Sequence, residues 1–224
     1  MRNTARFKDE IFDQFARIGK AVASARRLEL LDLLCQGEKT VEELAAHSRI
    51  DVKSASAHLK VLRSSRLVES RRNGKYVVYR LADQGVVGFW LAMRRLAEDR
   101  LAEIGRAVES FFTERDTMSP VDRRTLLARA KRGDVVVLDV RPLDEYDGGH
   151  IPHARSLPLA ELKRKCSTLP RDKEVIAYCR GPYCVMSLEA VELLRRRGFR
   201  ATRMDDGVVE WKAAGMPVER SAPR

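Results

Sequence analysis

The chain has no apolar run that approaches the roughly 20 residues of a membrane-spanning helix. Its first residues, MRNTARFKDEIFDQF, lack the apolar core of a secretory signal. The 224 residues include only four cysteines, too few for a disulfide framework. These absences exclude a membrane partner and a secreted disulfide scaffold. We therefore expect a cytoplasmic protein whose cysteines are free thiols.

The apolar content is high enough for buried cores, because 44% of the residues are hydrophobic and 33% are charged. A length of 224 residues suits two domains. The net charge of +11 favours a polyanionic partner. Between Arg49 and Arg80 there are nine Lys or Arg residues and only two acidic ones. The positive charge therefore forms a local patch rather than a diffuse excess.

The first part of the chain is predicted to be helical. Apolar residues over 5–36 recur at helical spacing in two helices, the second of which ends at Gly37. The segment TVEELAAH predicts a short helix that begins with a capping box. The segment DVKSASAHLKVLRSS, over about 51–65, predicts another helix capped by Asp51. The apolar residues of that last helix are Val52, Ala55, Leu59 and Leu62.

The next segment, LVESRRNGKYVVYRLAD, predicts a β-hairpin. Asn73-Gly74 is a strong signal for a two-residue type I′ turn, since both residues tolerate a positive φ. Three basic residues crowd the tip of the hairpin: Arg71, Arg72 and Lys75. A long helical stretch follows at about 84–113, and its apolar stripe is longer than a small domain needs. We expect part of that stripe to pack against a partner.

A polar segment, TERDTMSP, predicts a linker, and the pattern then changes to alternating strands and helices. DVVVLDV and EVIAY are continuous apolar runs typical of buried parallel strands, and RATRM predicts a short third strand. DRRTLLARAKRG and VMSLEAVELLRRRG predict helices, the second ended by Gly198. We expect a mainly helical domain at 1–113, a linker at 114–120 and an α/β domain with a parallel sheet at 121–224.

Helix, turn, helix and a basic hairpin are the plan of a winged helix-turn-helix, in which a helix approaches base edges and basic side chains reach phosphates. The segments ARRLELLDLL, TVEELAAHSRI and SASAHLKVLRSSRLVESRRNGKYVVYRL resemble the ArsR-type bacterial repressors over about residues 10–112. The resemblance implies that 51–65 is the recognition helix and that the long end helices form a homodimer. Two recognition helices would then lie about 34–36 Å apart on double-stranded operator DNA. The residues expected at the DNA are Lys53, Ser54, Ser56, Ala57, His58, Lys60, Arg71, Arg72 and Lys75.

Two alternatives stay open for this first domain. A winged helix can serve protein contacts only, although the basic cluster favours DNA, and His58 either packs or touches a phosphate. The metal sites known in ArsR-type proteins do not map onto this chain. A Cys-x-Cys site corresponds to Thr40 and Glu42, neither a soft ligand, and a His-containing site on the last helix is excluded because no His lies between His58 and His150. We expect no metal and no cofactor.

The segment AYCRGPYCV places Cys179 at the end of a predicted parallel strand, where the N–H groups of the following helix stabilise a thiolate. VVVLDVRPLDEYDGGHIPHARSLPL, EVIAYCRGPYC and DDGVVEWKAAGMPV resemble a rhodanese domain over about 121–219. The resemblance implies that Cys179 is the nucleophile and holds a sulfane sulfur as a persulfide. The implied loop residues are Arg180, Gly181, Pro182 and Tyr183, with support from Asp139, Arg141 and His150.

The chain departs from the rhodanese pattern at several positions. The usual glycine after GHIP is His153, and Pro182 removes one N–H from the loop. The loop also lacks the basic residue that many thiosulfate-using members carry near its end. The related phosphatases and arsenate reductases need Arg six residues after the thiol, where this chain has Val185. These differences weaken the case for fast thiosulfate turnover and exclude phosphatase chemistry.

The other three cysteines have open roles. Cys184 is either a small buried residue of the first helical turn or a resolving thiol that attacks a Cys179 persulfide. Cys35 lies on an apolar helix face, where a core role and a sensor role both fit. Cys166, in KRKCSTLP, sits among cations and is expected to be an incidental surface thiol.

These features predict a DNA-binding transcriptional repressor whose second domain senses or handles polysulfide, persulfide or thiosulfate. A sulfurtransferase whose first domain dimerises or tethers it is the main alternative. A regulator whose rhodanese-like domain is only a binding module is the third.

Overall fold

The computed structural model describes residues 4–112 and 122–221. It divides into two compact units, Met1–Leu96 and Ala97–Arg224. The predicted linker at 114–120 lies outside the described residues, so the predicted domain ranges stay predictions. The described helices include none long and apolar enough to cross a membrane.

The first unit has a helical core and a small antiparallel sheet with the order β1-β3-β2. Its last helix, α5, crosses the boundary between the units at residue 96. In chain order the elements are α1 Thr4–Val22, α2 Ala25–Cys35, β1 Lys39–Thr40, α3 Val41–His47, α4 Val52–Ser64, β2 Val68–Asn73, β3 Tyr76–Leu81 and α5 Gln84–Arg100.

Helices α3 and α4 begin at the capping residues that were predicted for them, Thr40 and Asp51. Thr40 accepts from the N–H of Glu43 while the Glu43 carboxylate accepts from the N–H of Thr40, which completes a capping box. The Asp51 side chain accepts from the N–H of Ser54 at the start of α4. The predicted apolar face of α4 is wrong at Val52, which is 45% exposed because it lies in the first turn. The other three predicted apolar residues are fully buried: Ala55, Leu59 and Leu62.

The hairpin forms as predicted, but its turn differs. Asn73 pairs with Tyr76, so the two turn residues are Gly74 and Lys75 rather than Asn73-Gly74. Only Gly74 has a positive φ, at 59°. A positive φ at the first central residue alone is the pattern of a type II′ turn, so the predicted type I′ turn is wrong.

The predicted long helical stretch is two helices rather than one. The interruption lies at Leu101, whose N–H still donates to Ala97 O at 2.8 Å. Neither proline nor glycine stands there, and nothing in the structure explains the break. The elements that follow α5 are α6 Ala102–Phe112, α7 Arg123–Arg132, β4 Val135–Asp139, α8 Leu143–Gly148, β5 Arg155–Ser156, α9 Leu159–Lys165, β6 Glu174–Tyr178, α10 Val185–Arg196, β7 Ala201–Arg203 and α11 Val208–Ala213.

The second unit is built on a four-stranded sheet with the order β5-β4-β6-β7. All of its described strand pairs are parallel, as the apolar runs predicted. Side chains alternate between the two faces of the sheet, so Val175, Ala177 and Cys179 join one buried cluster while Ile176 and Tyr178 join the other. This alternation directs Cys179 to the face that α10 covers, because Ala190, Val191 and Leu194 of that helix belong to the same cluster.

Two of the remaining cysteines have defined positions. Cys166 is only 3% exposed and belongs to the cluster that contains Cys179, so the prediction of a surface thiol is wrong. The apolar packing of the turn after α9 outweighs the charge of its sequence neighbours. Cys35 is half-buried at the end of α2.

Candidate functional site

Helix α4 presents a polar face beside its buried one. Lys53, Ser56, Ala57 and Lys60 are exposed, and His58 is half-buried. Short side chains at 56 and 57 leave room for a groove of DNA to approach the helix backbone, with a lysine on either side. These residues are therefore accessible on α4, and their contact with DNA stays a prediction.

Ser54 is placed differently from its neighbours. Its hydroxyl donates to Asp51 at 2.6 Å, and its N–H donates to the same carboxylate at 2.8 Å. The side chain is half-buried and completes the N-cap of α4. Ser54 thus serves the start of the helix, and its prediction as an outward base-reading residue is weakened.

The three basic residues of the hairpin also differ from one another. Arg71 pairs with Glu38 at 2.6 Å, with both side chains largely exposed. Arg72 is exposed, and the Lys75 ammonium lies 5.1 Å from the ring centroid of Tyr76. Arg72 and Lys75 are therefore better placed than Arg71 for a phosphate contact.

In the second unit, Cys179 follows β6 and is 1% exposed. Its sulfur lies 3.2 Å from Ser187 Oγ and 3.5 Å from the carbonyl oxygen of Cys184. Ser187 is fully buried in the first turn of α10, and its hydroxyl also reaches Cys184 O at 3.4 Å. The thiol is thus held inside the loop that joins β6 to α10.

Cys184 is the N-cap residue of α10 and is half-buried. A hydrogen bond from the Cys179 thiol and the N–H groups of Arg180 and Met186 lower the pKa of Cys184 to about 7. Burial and the neighbouring Cys184 sulfur raise the pKa of Cys179. The opposite directions of the two pKa shifts favour a thiolate on Cys184 over one on Cys179.

Two glycines let the loop backbone close around the thiols. Gly181 has φ +130°, a conformation that side chains rarely adopt, and its carbonyl accepts from the N–H of Cys184 at 3.2 Å. Gly207 packs directly on the loop. A Cβ at Gly207 would lie 2.6 Å from the Arg180 carbonyl carbon and 2.8 Å from Cys179 O. Any larger residue at 207 must displace the loop.

Two buried ion pairs lie at and near the loop, and one of them holds the loop residue Arg180. Arg180 binds Glu145 through Nε and Nη2, the shortest contact being 2.7 Å, and Glu145 is 2% exposed. Arg141 binds Asp139 at 2.6 Å and also donates to Gly149 O. Burial opposes the charge of both arginines, but the adjacent carboxylates raise the pKa of Arg141 and of Arg180. Asp139, the last residue of β4, and Arg141 thus form a buried pair, and their supporting role stays a prediction.

The third predicted support residue, His150, contacts Tyr146 and Glu219. Its ring stacks on Tyr146 with 3.8 Å between centroids, and Nδ1 lies 2.9 Å from Tyr146 O. Its backbone pairs with Glu219 as an isolated bridge. His153, where glycine was expected, has φ +65°, so the position does require the left-handed conformation.

Tyr183 of the loop contacts α5, and Arg203 of β7 links the loop to α6. The Tyr183 hydroxyl donates to Glu98 on α5 at 2.5 Å. Arg203, which is 1% exposed, donates to Pro182 O at 3.2 Å, and its guanidinium lies 4.2 Å from the ring centroid of Phe112 in α6. Glu98 and Phe112 belong to the same compact unit as the loop.

Sequence reasoning missed five residues that shape this site: Glu145, Ser187, Arg203, Gly207 and Glu210. Glu145 and Gly207 lie inside segments that carried the rhodanese resemblance, so the resemblance could have marked both as candidate site residues. Glu210 lies in the same segment as Gly207, Ser187 follows Cys184 by three residues, and Arg203 lies in the predicted third strand, but no local pattern shows that these side chains meet the loop. Over 4–112 and 122–221, no group of three or more His, Cys, Asp or Glu is placed to hold a metal ion.

Known proteins match both halves of the chain. The model of the arsR family of bacterial regulatory proteins matches residues 24–70, and that of the rhodanese-like domain matches residues 122–214. The "Sulfurtransferase" of Allochromatium vinosum is 30% identical over 103 residues, which are 45% of this chain and 94% of that protein. The "Probable mercury resistance operon repressor" of Streptomyces lividans is 35% identical over 92 residues, 41% of this chain and 74% of that protein.

One relative extends over both domains. The "HTH-type transcriptional regulator Rv0324" of Mycobacterium tuberculosis is 42% identical over 216 residues, which cover 96% of this chain and 95% of that protein. The family predicted from the sequence is thereby confirmed. The chain belongs to the ArsR-family transcriptional regulators that carry a C-terminal rhodanese-like domain.

Proposed function

We propose that this regulator is a cytoplasmic, homodimeric repressor whose affinity for operator DNA responds to sulfane sulfur carried on Cys179. The observation that carries the proposal is the Cys179–Cys184 pair, held in a loop in which Tyr183 contacts α5 and Pro182 contacts Arg203. Arg203 in turn packs on Phe112 of α6. The sulfur donor, the dimer and the DNA contact are each supported by separate features.

The DNA contact is supported by the exposed face of α4 and by Arg72 and Lys75 on the hairpin. A duplex presents a dense line of phosphate charge, so such exposed cations add affinity for any sequence. Side chains on α4 then select the operator.

The homodimer is supported by an uncovered apolar stripe on α1. Four large apolar side chains there are 39–66% exposed, more than a water-facing helix ordinarily carries. Those residues are Phe7, Ile11, Phe12 and Phe15. A second copy of the chain would bury them.

The sulfur chemistry follows from the resting charge of the pair. When a persulfide R–S–SH arrives, the Cys184 thiolate takes the proton of Cys179, and the Cys179 sulfur attacks the outer sulfur of the donor. The products are Cys179–S–SH, the Cys184 thiol and RS⁻, so atoms and charge balance. Once deprotonated again, Cys184 can attack the Cys179 sulfur, which forms the disulfide and releases HS⁻.

A change in the loop on sulfur loading can be transmitted through the contacts of Tyr183 and Pro182. Sulfur on Cys179 needs space in a loop that is tightly enclosed by Ser187 and Gly207. Displacement of the loop would disturb the contacts of Tyr183 with Glu98 and of Pro182 with Arg203. Because Glu98 lies on α5, a helix that begins at Gln84 in the first unit, strain at this end can act on the helix as a whole.

The test is fluorescence anisotropy with a duplex from the region upstream of the protein's own gene and a scrambled duplex as control. Reduced and polysulfide-treated protein are compared, with Cys179→Ser and Cys184→Ser beside them. We expect treatment to change operator affinity about tenfold, equivalent to about 1.4 kcal/mol of coupling, and Cys179→Ser to abolish the change. An affinity that polysulfide never alters would overturn the proposal.

A sulfurtransferase is the second candidate, because the rhodanese-like half alone matches almost the whole length of a protein named "Sulfurtransferase". Steady-state turnover that is unaffected by operator DNA would favour this function. Loss of any role for Cys179, with DNA binding intact, would favour a rhodanese-like domain that is only a binding module.

A further inference from the structure

We propose that the Ser187 hydroxyl is a catalytic group of sulfur loading: it donates a hydrogen bond to the Cys179 thiolate and shifts the proton shared by the two thiols towards Cys184. This role rests on the proposed loading of Cys179 and deepens it. The loading step has a difficulty that the role resolves, because the sulfur that attacks the donor is the one that the fold makes harder to deprotonate.

The Cys179 sulfur needs a hydrogen-bond donor once it has lost its proton. Cys179 is 1% exposed, so water solvates a thiolate there poorly. The Cys184 carbonyl oxygen, 3.5 Å from the sulfur, can accept a hydrogen bond but cannot donate one, and it repels a negative charge. The Cys184 thiol can donate, but its proton is the one that it has just received. The attacking thiolate therefore needs a donor from another residue.

Ser187 is placed to be that donor. Its Oγ lies 3.2 Å from Cys179 Sγ, and the residue is fully buried, so bulk water does not compete for the contact. Ser187 follows the N-cap residue Cys184 by three positions, in the first turn of α10, where backbone N–H groups have no partner within the helix. Burial and the Cys184 side chain raise the pKa of Cys179, whereas the hydroxyl and the N–H of Ser187 act to lower it.

The hydroxyl of Ser187 has two acceptors within reach and one proton to donate. While Cys179 keeps its own proton, the hydroxyl donates to Cys184 O at 3.4 Å. When the Cys179 sulfur becomes a thiolate, a turn about the Cβ–Oγ bond of Ser187 points the same proton at that sulfur. No heavy atom has to move, because both acceptors already lie close to the same oxygen.

The proton shared by the thiols determines how often Cys179 can attack. Cys179–SH and Cys184–S⁻ exchange one proton to give Cys179–S⁻ and Cys184–SH, while the Ser187 proton stays on its oxygen. The Cys179 sulfur then bonds to the outer sulfur of R–S–SH, the S–S bond of the donor breaks, and RS⁻ leaves. A donor at Cys179 stabilises the product of the proton exchange, so it raises the population that attacks.

The effect on the rate is smaller than the effect on the proton. A hydrogen bond to a charged group changes the balance between the two thiolates by about ten- to hundredfold. A stabilised thiolate is also a weaker nucleophile, which offsets about half of that gain on a logarithmic scale. Removal of the hydroxyl should therefore slow the loading of Cys179 by about three- to tenfold.

The experiment measures single-turnover loading of the full-length reduced protein by cysteine persulfide. Alkylation precedes digestion, and trypsin cleavage after Arg180 separates Cys179 from Cys184, so mass spectrometry assigns the added sulfur to one cysteine. The test variant is Ser187→Ala. The matched control is Ser156→Ala, the same change in the same unit, at a buried hydroxyl that has no hydrogen-bond partner among the described residues. Urea unfolding verifies that both variants are folded.

A second measurement separates the loss of a donor from a loosened loop. Initial rates of alkylation by iodoacetamide are followed for Cys179 and Cys184 separately. If the hydroxyl is a donor, Ser187→Ala makes Cys179 about three- to tenfold less reactive and leaves Cys184 within about twofold. If the hydroxyl serves packing alone, its loss loosens the first turn of α10 and exposes the buried thiol, so Cys179 becomes more reactive.

The two measurements together decide the role of Ser187. Slower loading and slower alkylation of Cys179 in Ser187→Ala, with Ser156→Ala unaltered, support it. Unaltered or faster loading in Ser187→Ala, faster alkylation of Cys179 or an equal loss in Ser156→Ala would overturn it.

The same samples keep this inference separate from the proposed function. If Ser187→Ala slows the loading of Cys179 but operator affinity never responds to sulfur, the regulatory proposal fails and the role of Ser187 stands. If Ser187→Ala loads at the unaltered rate and operator affinity responds, the role of Ser187 fails and the regulatory proposal stands. If cysteine persulfide does not load Cys179 in the unaltered protein, both are overturned.

Discussion

The two candidate sites of this protein use basic residues in opposite ways. In the first unit, Lys53, Lys60 and Arg72 are exposed to solvent, where a polyanion can reach them. Around the thiol loop, Arg141 and Arg203 are each 1% exposed and are bound to acidic side chains. The net charge of +11 therefore says little about the second site, since its cations are already neutralised.

The physical reason lies in the cost of burial. An exposed cation keeps its water and attracts phosphate at long range, whereas a buried cation must be paired to exist at all. The buried pairs position a loop and do not draw anions towards it. The comparison thus assigns attraction of DNA to one unit and precise placement of a thiol to the other. The predictions below test that division.

The largest effect is expected from opening a buried ion pair. Glu145→Ala removes the buried carboxylate that Arg180 binds at 2.7 Å, and we expect it to lower the free energy of unfolding of the second unit by about 3–5 kcal/mol. Glu38→Ala, which removes the exposed partner of Arg71, should cost no more than about 1 kcal/mol. Urea unfolding followed by circular dichroism measures both. Similar losses for the two variants would remove the distinction between the sites.

The next effect concerns backbone contact with the loop. Gly207→Ala places a methyl group 2.6 Å from the Arg180 carbonyl carbon, so the loop must move. We expect a loss of about 1–3 kcal/mol in stability and a large fall in sulfur loading of Cys179. Gly148→Ala is the matched control, because a Cβ there meets no atom within 4 Å. Unaltered loading in Gly207→Ala would show that the loop does not need its present shape.

A smaller effect separates two neighbouring arginines of the hairpin. Arg72→Ala should weaken binding to operator and scrambled DNA alike and reduce the slope of log affinity against log salt by about 0.9. Arg71→Ala should have less effect, since Arg71 is already paired with Glu38 at 2.6 Å. Anisotropy titrations over a range of salt concentrations measure both. A larger loss for Arg71→Ala would mean that its pair with Glu38 opens when DNA binds.

The charge of the thiol pair predicts a pH dependence. Alkylation of Cys184 by iodoacetamide should rise with a midpoint near pH 7, the value to which its pKa is lowered. Because the folded pKa lies below the ordinary one, the thiolate stabilises the fold fully above the ordinary pKa and loses this contribution as pH falls through 7. Cys179→Ala removes the hydrogen-bond donor and should move the midpoint upward. Peptide mass spectrometry follows the alkylation of each cysteine. An unchanged midpoint in Cys179→Ala would show that Cys179 does not lower the pKa of Cys184.

The smallest effect is expected from one hydroxyl. Tyr183→Phe removes the donor to Glu98 without changing the thiols, so sulfur loading should be unaltered. The response of operator affinity to polysulfide should fall by about two- to fivefold, within the range of a single hydrogen bond to a charged group. Tyr76→Phe, on the hairpin, tests for a general effect of losing a tyrosine hydroxyl. A full response in Tyr183→Phe would exclude the proposed route through α5.

Local signals in the sequence were sufficient for much of the fold. The capping box of Thr40 and Glu43 and the N-cap of Asp51 depend on residues three positions apart, so they can be recognised without the tertiary structure. The turn at Gly74 was located but assigned the wrong type, because strand register rather than turn composition determines which two residues lie in the turn. The break at Leu101 had no recognisable signal.

The sequence by itself determined that a thiol follows a buried parallel strand and precedes a helix, and that a basic hairpin follows a helix with small exposed residues. These are consequences of chain order and of apolar periodicity. Only the tertiary structure decided that Glu145, Gly207 and Glu210 lie against the loop that precedes Ser187, because packing brings together segments that are distant in the chain. It also decided which cations stay exposed, since burial and pairing depend on the whole fold and not on the neighbours of a residue in the chain.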